Sequence, residues 1–189
     1  KCLLSWITAL HEITDGQVVA IDGKTLRRSF DARSSKAAIH MVSAWASENG
    51  VVLGQVKTEE KSNEITAIPE LLRALSVKGC LVTIDAMGCQ KSIAKQIIDQ
   101  GGDYLLALKG NQSKLADEVE AVFSTADGVG YAGYSVDYYE TQERNHGRQE
   151  IRRYWSLASE DLLVNAGPWV NLNMIGMMES QRTVDGETS

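Results

Sequence analysis

Two aspartates close apolar, β-branched runs: Asp22 in Val-Val-Ala-Ile-Asp-Gly-Lys and Asp85 in Cys-Leu-Val-Thr-Ile-Asp-Ala-Met-Gly. Such runs read as buried strands, and a strand that is apolar throughout is usually covered on both faces. Its carboxylate should then emerge only at the rim of the sheet. If the two strands are neighbours, both acids meet at one rim, where they repel unless a cation or proton stands between them. The pattern points to a divalent metal, oxygen ligands and phosphoryl chemistry. One such Asp alone is more simply the start of a turn, where Asp is common. The matched context of the two brings the metal reading level with that simpler one.

Composition narrows the setting. The chain has 189 residues, 43% hydrophobic and 23% charged, as expected of one globular domain with a substantial core. No apolar run approaches the length that spans a bilayer, so no membrane partner is expected. Cys2, Cys80 and Cys89 are odd in number and lack paired metal spacing, and Cys80 sits inside an apolar run as a small hydrophobe. A reducing cytoplasm fits this usage. The abrupt Lys-Cys-Leu-Leu start, without a signal peptide, suggests that the native N-terminus is absent. The net charge of −6 counts against a self-sufficient nucleic-acid binder. Two basic clusters soften this: Lys24, Arg27, Arg28, Arg33 and Lys36, then Arg144, Arg148, Arg152 and Arg153. Solvated surface explains such clusters equally well.

Periodicity orders the chain. Strands are expected at Val18 to Asp22, Ala37 to Ala46 and Val51 to Lys57, with Glu48-Asn49-Gly50 as a hairpin turn. Ile65, Ile68, Leu71, Leu72 and Leu75 recur at helical spacing, with Asn63 as cap and Gly79 as stop. Leu81 to Ile84 delivers Asp85; a helix from about Gln90 to Asp99 follows, stopped by Gly101-Gly102. Tyr104 to Leu108 is a strand and Ser113 to Phe123 a helix. Past Gly128, Thr141 to Leu157 reads as two extended segments around Asn145-His146-Gly147, and Val170 to Met177 as a last strand. The polar tail from Glu179 reads as a loop. The fold class expected is α/β: a ribonuclease-H-like mixed sheet of three antiparallel strands and then alternating helices and strands. Helices are expected on both faces, with a β-rich insertion after about residue 128. The implied boundaries are 1–17 for a preceding segment, 18–127 for the core, 128–178 for the insertion and 179–189 for a truncated tail.

Four stretches carry a resemblance. They are Ile21-Asp22-Gly23-Lys24-Thr25-Leu26-Arg27-Arg28, Lys61-Ser62-Asn63-Glu64-Ile65, Thr83-Ile84-Asp85-Ala86-Met87-Gly88-Cys89-Gln90 and Gly102-Asp103-Tyr104-Leu105-Leu106-Ala107-Leu108-Lys109-Gly110-Asn111-Gln112. Over roughly residues 12 to 160 the chain resembles the H-repeat-associated group of bacterial insertion-sequence transposases, within the DDE superfamily. The resemblance implies a ribonuclease-H-like core that cuts and rejoins double-stranded DNA at element ends with two divalent metals, Mg2+ or Mn2+. It also implies a homodimer on DNA, associated with the nucleoid. Asp22 and Asp85 correspond to the first and second catalytic acids and metal ligands.

The third acid is less direct. Glu150 is acidic among bases, yet His146, Arg148, Glu150 and Arg152 alternate with Gln149, Ile151 and Arg153 at strand periodicity. The resemblance implies a third acid on a helix beyond Ser189, which would leave this chain a fragment that is nearly inactive. DNA contacts are expected from Lys24, Arg27, Arg28, Lys109, Asn111, Arg148 and Arg152. For Lys109 and Asn111 a strand-to-helix turn with a cap is an equal explanation. His146 is too isolated for a metal ligand, and His40 reads as a core residue. Glu64 is explained by the helix dipole, and Trp155 and Trp169 by the core. Other readings are a non-catalytic remnant, a ribonuclease-H-like nuclease without transposition, or a phosphatase using Asp22 as nucleophile.

Overall fold

The computed structural model describes residues 16–25, 40–48, 50–58, 64–145, 148–159, 162–164, 166–167, 169–184 and 187–188. Two compact units are formed, one by residues 1–112 with 168–170 and one by 113–167 with 171–189.

The first unit is built on five strands: β1 Val18–Thr25, β2 His40–Ala46, β3 Val51–Thr58, β4 Leu81–Ile84 and β5 Asp103–Leu106. Their order is β3-β2-β1-β4-β5. The first three form an antiparallel meander, whereas β4 pairs parallel with both β1 and β5. Two helices, α1 Glu64–Ala74 and α2 Lys91–Asp99, supply the crossovers. The element order expected from periodicity, three strands and then alternating helix and strand, is the order found.

Alternation decides which face is buried. Val19 and Ile21 of β1, Val42 and Ala44 of β2, and Val82 and Ile84 of β4 point to one face. There they meet Ala67, Ile68, Leu71 and Leu72 of α1 and Ile93 and Ile97 of α2. Both helices described in this unit lie on that face; a helix on the opposite face, also expected, is not among the described residues of the unit. The other face carries Ala20, Asp22, Ser43, Trp45, Thr83 and Leu105, and there Trp45 and Leu105 are 42% and 59% exposed. Along the described strands, buried positions alternate with more accessible ones.

Element ends also differ from expectation. α1 stops at Ala74, before Leu75 and well before Gly79. Gly79 serves the turn into β4, its amide donating to Gly101 O at 2.8 Å. Gly102 is required because a Cβ there would stand 2.6 Å from Val77 O. The expected cap Asn63 lies outside the described residues.

The second unit joins α3, Ser113–Gly128, to a four-stranded sheet. Its strands are β6 Val136–Asn145, β7 Arg148–Ala158, β8 Met174–Val184 and β9 Glu187–Thr188, in that order and all antiparallel. Phe123 and Ala126 of α3 bury against Leu157 and Ile175, with Val136, Trp155 and Met177 around them. This helix, expected over Ser113 to Phe123, packs on the sheet of the second unit and runs on to Gly128. The polar tail expected as a loop is strand in its first part: Glu179 to Val184 prolong β8 opposite β7. Matched polar pairs hold it, with Arg153 facing Glu179. The two extended segments expected here pair as β6 and β7, with Asn145 facing Arg148; His146 and Gly147 of the expected turn lie outside the described residues.

Candidate active site

Asp22 and Asp85 are brought together by register. β1 and β4 run parallel with Val18 opposite Leu81 and Ile21 opposite Ile84, so the next residue on each chain is one of the two acids. Neighbouring strands stand about 4.8 Å apart. Both acids are exposed, and both follow the alternation onto the face away from α1 and α2. Asp22 does not end its strand. β1 continues to Thr25 along β2, whereas its ladder with β4 ends at Ile21. The sheet extends from β1 toward β2 on one side and from β4 toward β5 on the other, so the acids flank the point where connections step to opposite sides. In open α/β sheets that point, at the carboxyl ends of parallel strands, is where ligands bind.

The segment after β4 fixes Asp85. Its Oδ1 accepts the Met87 amide at 3.0 Å and so caps a single 3-10 turn, Ala86–Gly88. Gly88 packs beneath this turn, where a Cβ would overlap Ile84 Cγ2 and press on Ile68. A second turn, Gly110–Gln112, is tied to the first. Asn111 Nδ2 donates to Ala86 O at 2.6 Å and Gln112 Nε2 to Cys89 O at 3.0 Å. Asn111 is therefore engaged with the Asp85 turn. Gln112 and Gly88 were not singled out from sequence; the only signal was their place in the Asp85 and Lys109 stretches. Lys109 and Lys24 are exposed, and Lys24 shares Asp22's face of β1.

Glu150 stands in a different setting. It lies on β7 in the second unit, its side chain 17% exposed. Arg152 donates to Glu150 Oε1 through Nε at 3.1 Å and Nη2 at 2.8 Å, and Arg148 Nη2 lies 3.6 Å from Oε2. Three of the residues singled out from sequence thus satisfy one another. Arg153 likewise bridges Glu140 and Glu179 on the neighbouring strands, at 3.0 and 3.5 Å. Much of the second basic cluster is neutralised where it stands. Trp155 packs in the second unit's core, tilted on Tyr138 with ring centroids 5.3 Å apart, and Trp169 and His40 are buried. Arg27, Arg28 and His146 lie outside the described residues.

Asp22 and Asp85 offer hard carboxylate oxygens, and neither carboxylate has a described cationic partner. Such donors suit Mg2+ or Mn2+, which accept one or two carboxylates and complete their shell with water and phosphate oxygens. Among the described residues no three His, Cys, Asp or Glu side chains form a metal cage. Burial pushes the Cys89 thiol up, which keeps it protonated and inert. Cys80 is buried, as expected of a small core hydrophobe. No helix among the described residues is long and apolar enough to cross a membrane.

Known proteins resemble this chain. A family model described as a transposase DDE domain matches residues 13–172. The transposase candidate YncI of Escherichia coli K12 is 59% identical over 152 residues, covering 80% of this chain and 60% of that protein. The H repeat-associated transposase candidate YhhI of the same strain is 43% identical over 188 residues, covering 99% of this chain and 49% of that protein. The chain thus spans about half the length of these curated relatives. A piggyBac transposase synaptic complex with hairpin DNA aligns with a TM-score of 0.41 at 10% identity, over 74% of this chain and 30% of that one. With most of its length matched, the chain belongs to the transposase DDE domain family, with H repeat-associated proteins among its relatives.

Proposed function

We propose that this chain is the catalytic-core region of an insertion-sequence transposase with a ribonuclease-H-like sheet, in which Asp22 and Asp85 hold divalent metal for DNA strand cleavage and transfer. The observation that carries the reading is the parallel register of β1 and β4, which sets the two acids side by side. Held by Asp22 and Asp85, Mg2+ or Mn2+ would supply an activated water or 3′-hydroxyl and would neutralise charge at the scissile phosphate. The protein's part is positioning and electrostatics. Asp85 is held by the Met87 amide with one oxygen turned to that bond, leaving the other for a ligand. Lys24 and Lys109, exposed on the same unit, contact DNA phosphates and set register without reading sequence. Arg27 and Arg28 follow Lys24 closely enough in the chain to extend that contact. Arg148 and Arg152 serve Glu150 first, and Glu150 is a structural anion; the third acidic ligand comes from another part of the transposase. Two element ends held in one complex make a dimer on DNA the working assembly.

The test is DNA cleavage and strand joining by the parent transposase on its own element ends, with Asp22→Asn and Asp85→Asn. Loss of both steps in both variants supports the reading. Cleavage that persists without Asp22 and Asp85 contradicts it. Hydrolysis without joining in the unaltered protein would make it a nuclease of the same core fold.

A further inference from the structure

We propose that Asn111 is a positioning residue for Asp85, acting through the single peptide group that joins Ala86 to Met87. The inference deepens the proposed two-aspartate site and rests on that reading. The peptide is held at both ends. Its carbonyl, Ala86 O, accepts from Asn111 Nδ2 at 2.6 Å, and its amide, Met87 N, donates to Asp85 Oδ1 at 3.0 Å. A carbonyl that accepts a short bond polarises its own amide, so the bond from Met87 to the carboxylate is strengthened. The peptide plane is also fixed in direction, and with it the direction from which Asp85 must accept.

Further contacts hold the turn in this form. Gln112 Nε2 fixes Cys89 O at 3.0 Å. Gly88 N donates to Asp85 O at 3.1 Å, and Cys89 N reaches Ala86 O at a longer 3.3 Å. Ile84 and Ile68 crowd Gly88 from below. Among the described side chains, Asn111 is the one outside the turn that bonds the peptide next to the carboxylate. A plain helix cap would satisfy the amides of the following helix. Here the described bond of Asn111 runs 25 residues back along the chain to the Asp85 turn. The carboxamide is suited to this because its NH2 donates to a carbonyl, which a carboxylate of the same shape cannot do.

The experiment is amide hydrogen exchange at Met87, read by NMR on the whole 189-residue chain, together with Mn2+ titration. In Asn111→Ala, Met87 should exchange about tenfold faster, the loss expected for about one hydrogen bond, while exchange of the β1 and β4 core amides stays unchanged. Mn2+ affinity should fall several-fold. Gln112→Ala removes the companion tie without touching that peptide and should leave Met87 near wild type. Unchanged Met87 exchange in Asn111→Ala, or equal acceleration in both variants, would overturn the proposal. So would faster Met87 exchange with Mn2+ affinity unchanged, which would make the tie merely structural. If Asn111→Ala does not fold, Asn111→Asp keeps the shape, lacks the donor and is read by Met87 exchange in the same way. A wild-type chain that binds no Mn2+ would count against the metal reading alone, since Met87 exchange still decides the role of Asn111.

Discussion

An ionised carboxylate on a strand is tolerated where water still reaches it and costs several kcal/mol where it does not. Asp22 and Asp85 are both exposed, yet they stand side by side with no described cation to offset their repulsion. Aspartate also fits strands poorly. Removing one charge should therefore leave stability unchanged or slightly raised, while function falls, the trade expected of a site kept for chemistry. We expect Asp22→Asn to unfold at equal or higher urea concentration than wild type. In the parent transposase the same change should cut DNA cleavage by about a hundredfold or more. Glu150 should behave oppositely. It neutralises Arg152 and Arg148, so Glu150→Gln should cost about 1 kcal/mol in urea unfolding and leave Mn2+ affinity unchanged. At this scale the two aspartates were legible because each closes an apolar run. Glu150 attracted notice for the bases around it, and those bases are its ion-pair partners. Asn111 was legible only as a polar residue after a strand, since its bond to Ala86 O joins segments 25 residues apart.

Elements form where burial repeats at the right period. Ile68, Leu71 and Leu72 are almost wholly buried on one side of α1, and each contributes about 1.5–3 kcal/mol by leaving water. Leu72→Ala should cost about 2–5 kcal/mol, read from urea unfolding. The helix tolerates Pro69 in its interior, although Pro removes an amide donor there. The β6–β8 sheet responds to acid instead. Hydrogen bonds from Tyr138 and Arg153 hold Glu140 below the ordinary glutamate value of 4.5. A depressed carboxyl stabilises the folded state above its unfolded value, and that contribution is lost as pH falls through the folded value. Acid unfolding of the wild type below pH 4.5 should therefore be steeper than that of Glu140→Gln, as followed by circular dichroism. Periodicity placed α1, α2, β3 and β4 to within a residue or two at one end or both. It missed β8 beyond Met177 because Glu179, Ser180 and Arg182 are polar, and their strand partners Arg153, Arg152 and Glu150 lie far off in sequence.

In the first unit as a whole, the sheet turns one face to its helices and presents the other with Asp22, Lys24 and Asp85 upon it. The order β3-β2-β1-β4-β5 makes the two acid-bearing strands adjacent, although among the described residues two strands and a helix intervene between them along the chain. That adjacency is the part of the site that the sequence left open. The order of strands in a sheet follows from packing and crossovers and not from the pattern of any one strand. Only when β1 and β4 pair, with Ile21 opposite Ile84, do the acids that follow share a register. The metal reading stands or falls on that pairing, because isolated carboxylates at exposed strand positions hold divalent ions weakly. Anomalous scattering from crystals of the chain soaked in manganese tests this most directly. A manganese peak is expected between the carboxylates of Asp22 and Asp85, and it should vanish in Asp85→Asn crystals. Carboxylates that diverge, or that stay without metal at millimolar manganese while lying side by side, would contradict a metal-holding pair.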